Sequence, residues 1–155
     1  MKYRWVVWLL LFSAGHLSAV EPEADRSPVR VFTSEEPFED VLENIEMAII
    51  ERGLLVSGTL HVSDMLNRTG PDLGFTQVFS KARSVEFCSA LMSHKMSQAA
   101  AENIAICPFT IAVYVKLAEP DKVYAAYRPP QLVGDGGGAA SAIVDMLEGI
   151  IEDSI

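Results

Sequence analysis

Cysteine and basic residues are scarce in this chain, long apolar runs are missing, and each shortage removes a class of function. Only Cys88 and Cys107 occur among 155 residues. That excludes a small disulfide-stapled scaffold, and their separation is far from the Cys-x-x-Cys spacing of thioredoxin-like oxidoreductases. Lys and Arg number 12 against 21 Asp and Glu. Such a surface repels phosphate backbones and anionic headgroups, so nucleic acid and membrane surfaces are poor partners, while a basic protein or a cationic ligand is permitted. The Gly-x-Ser-x-Gly elbow of serine hydrolases is absent.

The apolar run Trp5 to Phe12 opens the chain. It follows Lys2 and Arg4 and leads into small residues ending at Ala19. A positive start, a short apolar middle and a small residue at the cut form the order of a secretory signal. A spanning helix needs roughly 20 predominantly apolar residues, and Ser13, Gly15, His16 and Ser18 interrupt the run sooner. Residues 1–19 therefore read as a signal peptide cleaved near Ala19, which predicts a periplasmic or secreted protein with no stable membrane anchor. Without Lys2 and Arg4 the mature chain carries ten Lys and Arg against 21 acids, a net charge near −11.

Residues 20–28 contain two prolines and no apolar period, and read as a flexible leader. Residues 29–155 are long enough for one domain with a proper core. Val29 to Phe32 reads as a short strand. Ser34 fits a helix N-cap, followed by Phe38, Val41, Leu42, Ile45, Ala48 and Ile49 at helical spacing and by Gly53 as the stop. Leu54 to Val62 alternates as a strand, with Ser57, Thr59 and His61 on its polar side. Residues 63–74 read as a short helical turn passing into loop, and Phe75 to Phe87 as one or two strands interrupted around Ser80 to Arg83.

Ser89 to about Ala101 has helix-forming composition. Phe109, Ile111, Val113, Val115 and Leu117 then alternate, Glu119-Pro120-Asp121 turns, and Val123 to Arg128 returns before Pro129 and Pro130. Ile143, Met146, Leu147 and Ile150 give a last helix its apolar face. The order β-α-β-β-(α)-β-β-α predicts an α+β fold, an antiparallel sheet with helices on one face. The other face would carry Ser57, Thr59, His61, Thr110, Tyr114, Lys116 and one of Tyr124 and Tyr127, a mixed surface suited to a dimer contact or a ligand floor.

The stretch Val85 to Arg128 resembles a known family. Phe87-Cys88-Ser89 stands before a helix, Ile106-Cys107-Pro108 leads into the strand Phe109 to Tyr114, and Tyr124-Ala125-Ala126-Tyr127 ends the hairpin. These residues resemble the family called domain of unknown function 302. Ser89 and Ala90 stand where the family commonly has asparagine and proline, and Cys107 precedes Pro108 where the family cysteine follows its proline. The resemblance implies a compact fold of the TATA-binding-protein-like class, often paired into homodimers, and brings no activity with it.

Cys88, Met92, His94 and Met96 are soft donors of the kind that suit Cu(I) or haem iron. At about 100° per residue, Cys88, Met92 and Met96 share a stripe roughly 80° wide and His94 points away. Methionine at helical spacing more often fills a core. His94 then needs a second copy, or Tyr114 and His61 from the mixed sheet face, to join a haem or metal site. Cys88 and Cys107 lie at the end of one strand and the start of another. They fit either a disulfide or a reactive thiol at Cys88, activated at a helix start. The Gly134 to Gly138 run lacks a following Lys, and Asp64, Asn67 and Asp72 match no calcium loop. The sequence thus points to a non-enzymatic exported binding or accessory module, dimeric, taking haem or a soft metal such as Cu. A thiol-dependent redox protein using Cys88 and a purely structural interaction module are the alternatives.

Overall fold

Apolar periodicity sets the main elements. In the computed structural model, which describes residues 27–134 and 136–155, the chain runs β1 (Arg30–Ser34), α1 (Phe38–Glu51), β2 (Leu55–Leu60), α2 (Val62–Leu73), β3 (Phe79–Cys88), α3 (Ala90–Ala99), a 3-10 helix (Ala101–Ile106), β4 (Phe109–Lys116), β5 (Val123–Tyr127) and α4 (Ala139–Glu152). The signal segment, its cleavage point and most of the leader lie outside the described residues. The five strands form one antiparallel sheet in the order β1-β5-β4-β3-β2. This is the α+β class that the element order predicts.

The alternation of β4 decides the core. Its register places Ile111 between Val85 and Tyr127, and Val113 beside Ala125, so one sheet face is apolar. Onto that face α1 buries Val41, Ile45 and Ile49, and α4 buries Ile143, Leu147, Ile150 and Ile151. Full burial of each such side chain contributes about 1.5–3 kcal/mol. The two helices are also tied at their ends. Arg52 donates to the Ala48 and Gly149 carbonyls, both at 2.9 Å, and pairs with Asp153.

Gly53 stops α1 as its sequence position indicates. With φ +70°, it donates to Ile50 O at 2.8 Å while Leu54 donates to Ile49 O at 3.2 Å, the paired bonds of a Schellman cap. The start of α1 differs from the expectation. Ser34 is the buried last residue of β1, its hydroxyl accepts from the Glu36 amide at 3.1 Å, and Pro37 occupies the N-cap position. The side chain turns the chain before the helix rather than capping it.

Three further expectations are corrected. Residues 62–73 form a full helix, because Val62, Met65, Leu66 and Leu73 keep the helical period and Gly70-Pro71 falls in its last turn, where Gly74 (φ +75°) ends it. The expected break around Ser80 to Arg83 is only a bulge between Phe79 and Lys81 within one continuous β3. A second bulge, between Val56 and Gly58, shifts the pleat of β2. Thr59 consequently pairs with Val85 and donates to Glu46 of α1 at 3.0 Å, so it faces the helices and not the mixed face. His61 leaves the strand and stands at the N-cap position of α2. That helix continues along the edge of β3 where β2 stops, with the Ser63 hydroxyl donating to the Ala82 carbonyl at 3.4 Å.

Candidate functional site

Prolines stop three strands at one end of the sheet. Pro28 precedes β1, Pro108 precedes β4, and Pro129-Pro130 follow β5. Without amide hydrogens they cannot extend a ladder. Because Arg30 and Ile111 both pair with Tyr127, these three ends coincide. Between them and the 3-10 helix lies an open cleft of about 1250 Å³. Its walls mix apolar groups, from Val29, Ile106, Pro108 and Leu147, with polar ones from Ser27, Thr110 and Gln131, and among the described residues its charged lining residues are Arg30 and Arg128. No carboxylate is among the described residues that line it.

The Tyr127 ring lines the cleft while its hydroxyl is engaged behind it, donating to Glu148 Oε1 of α4 at 2.6 Å. Burial, then the Glu148 hydrogen bond and charge, push this phenol well above its ordinary range. It therefore serves as a fixed wall and not as a proton acceptor. Phe32 stacks beside it at 6.4 Å between ring centroids. The Thr110 side chain is exposed at the mouth. The 3-10 helix is held by buried Asn103, whose amide bonds to the backbone of Met96 and Val133.

Around the back of this 3-10 wall sit the two cysteines. Cys88 and Cys107 are free, half-buried and in hydrogen-bonding contact with each other. Burial first, then the bond to Cys107, the charge of Cys107 and that of Glu86, push the Cys88 thiol up to about 11. At neutral pH it keeps its proton, and the thiolate is the reactive form. The start of α3 does not activate it, since Ser89 caps the helix by accepting from the Met92 amide at 3.4 Å.

The other sequence candidates are dispersed. Met96 is fully buried in the core and Met92 packs against it, whereas His94 is exposed on α3. His61 is exposed and lies 3.3 Å from Asp64. Tyr114 lies on the other sheet face, where its ring stacks on Tyr124 at 5.1 Å and meets the edge of Phe79 at 5.4 Å. The outer tyrosine is thus Tyr124, with Lys116 Nζ 4.1 Å above its ring. Among the described residues no group of three or more His, Cys, Asp and Glu could hold a metal ion, and no helix is long and apolar enough to cross a membrane. Of the cleft residues, Tyr127 closes the Tyr124-Ala125-Ala126-Tyr127 run, whereas Arg30 and Arg128 belong to no motif. The one signal of the two arginines in the sequence is a proline within two residues of each, at two strand ends.

The fold corresponds to that of a known protein. The chain is similar to the crystal structure of an uncharacterized conserved protein DUF302 from Bacillus stearothermophilus, with a TM-score of 0.68 and 17% identity over 83% of this chain and 98% of that one. At that identity the likeness concerns the fold. No curated protein matches the chain. The model of the family described as Domain of unknown function DUF302 matches residues 30–154, nearly the whole described domain, and the chain belongs to that family.

Proposed function

We propose that this protein is a non-enzymatic, exported binding module, and that the cleft takes a ligand with an anionic group on an apolar body. One observation carries the reading. In a chain where acids outnumber bases 21 to 12, Arg128 stands at a partly apolar cleft whose described lining residues include no carboxylate. A guanidinium matches a carboxylate or sulfonate in its planar fork, and apolar walls with a few placed polar groups are what small-molecule sites present. Haem, with two propionates on an apolar plate, falls within this class, as do fatty acids and aromatic acids.

Titration with anilinonaphthalenesulfonate, an aromatic anion that fluoresces in apolar surroundings, tests the reading. Saturable binding is expected, displaced by dodecanoate and weakened about tenfold in Arg128→Gln, since a hydrogen bond to a charged group contributes about 1.5–3 kcal/mol. Lys122→Gln, away from the cleft, should leave it unchanged. Equal binding by Arg128→Gln and the parent would overturn the proposed site. A Soret band in freshly exported protein separates haem from colourless acids.

A further inference from the structure

The pairing of β3 with β4 sets Phe87 opposite Phe109, so Cys88, one residue beyond Phe87, and Cys107, two residues before Phe109, are brought near each other from opposite ends of the α3 and 3-10 excursion. The two thiols interact, and the Ser93 hydroxyl donates to Cys107 Sγ at 3.8 Å from the adjoining turn of α3. Both cysteines are half-buried and remain within reach of a small oxidant.

We infer that Cys88 and Cys107 are a disulfide-forming pair, oxidised by exchange with a disulfide of the export compartment, and that the bridge clamps the 3-10 wall of the cleft. Cys107 attacks the incoming disulfide, breaking its S–S bond and releasing one thiol. Cys88 then displaces the second thiol from the mixed disulfide on Cys107. Two protons and two electrons pass to the oxidant, which leaves as two thiols. That order follows from Cys88 holding its proton more tightly than an ordinary thiol. Cys107 adjoins Ile106 and Pro108, both on the cleft wall, so a bond from it to the end of β3 restrains that wall. The clamping role rests on the cleft being the binding site; the bridge itself does not.

The test begins with reduced full-length protein treated with oxidised glutathione and mapped by proteolysis and mass spectrometry. A linked pair of peptides bearing Cys88 and Cys107 is expected, with no free thiol after denaturation. Cys88→Ser should instead retain glutathione on Cys107, because the displacing sulfur is gone. Two free thiols, or glutathione on both cysteines without a link, would overturn the bridge. So would one tightly held Cu(I) that blocks glutathione, which would assign the pair to a soft metal. Anilinonaphthalenesulfonate binding, compared in oxidised and reduced protein, reads the clamp separately. Several-fold tighter binding after oxidation supports it, and equal binding of a verified bridged form refutes it.

Discussion

Asn103 holds Val133 by both of its backbone groups. Its Oδ1 accepts from the Val133 amide at 2.8 Å, and its Nδ2 donates to the Val133 carbonyl at 3.0 Å. A third bond runs from Nδ2 to the Met96 carbonyl at 2.9 Å. One buried amide therefore joins α3, the 3-10 helix and the segment after β5, with Gly134 close behind. There φ is +77°, and an added Cβ would lie 3.3 Å from the Ala99 carbonyl oxygen.

Asn103→Ala should lower stability by about 3 kcal/mol, because buried backbone groups lose their partners. In urea the midpoint should fall with little change in slope. A loss within experimental error would show that this amide is not the tie it resembles. Anilinonaphthalenesulfonate affinity should fall as well, since the 3-10 wall loosens.

The Tyr127 hydroxyl prefers its protonated form in the folded chain, its pKa being raised above the ordinary 10.0 by burial and by Glu148. The resulting stabilisation is complete below pH 10 and declines at higher pH, as the unfolded chain ionises first. Tyr127→Phe should cost about 1.5 kcal/mol near neutrality. It should also have a flatter stability profile above pH 10 than the parent. Parallel alkaline profiles would contradict this assignment.

Cys88 behaves likewise when reduced. Its folded value of about 11 exceeds the ordinary 9.0, so its protonated form stabilises the fold below pH 9, and that contribution is lost as pH rises from 9 to 11. Urea unfolding under reducing conditions should show the decline, and Cys88→Ser should remove it. A bridged protein has no thiol there and should lack the decline too.

Ser89 caps α3 with its side chain. Ser89→Ala should destabilise by about 1 kcal/mol, and Ser89→Gly by less. Equilibrium unfolding of the two variants checks the order. A larger loss for glycine would indicate that the hydroxyl acts other than as a cap.

We propose that homodimers form through the sheet face that carries Tyr114 and Phe79, next to which the exposed Val78 and Leu117 are joined by a backbone hydrogen bond. Two-fold pairing is the commonest closed assembly. Light scattering should give twice the chain mass, and Val78→Asp should give the chain mass. A monomer throughout the micromolar range would dismiss the pairing.

Elements with a strong, unbroken period were legible in the sequence. Phe38 to Ile49, Phe109 to Val115 and Ile143 to Ile150 have one apolar face each, and that face is the buried one. In α2 the polar Asn67-Arg68-Thr69-Gly70-Pro71 run resembles a loop, and its helix is visible only in the spacing of apolar residues that stay exposed. The bulge at Ser57 was hidden for a different reason. An inserted residue changes which side chains share a face without changing the alternation of residue types.

The sequence by itself determined the α+β class, the core faces of α1 and α4, the β4–β5 hairpin and the family, because these follow from local periodicity and short motifs. Tertiary structure alone decided the cleft and the contact of Cys88 with Cys107. Arg30 and Arg128 are separated by most of the domain and meet at the cleft only through the antiparallel pairing of β1 with β5. No local pattern encodes that pairing, since strand partners are selected by the packing of the whole sheet against α1 and α4.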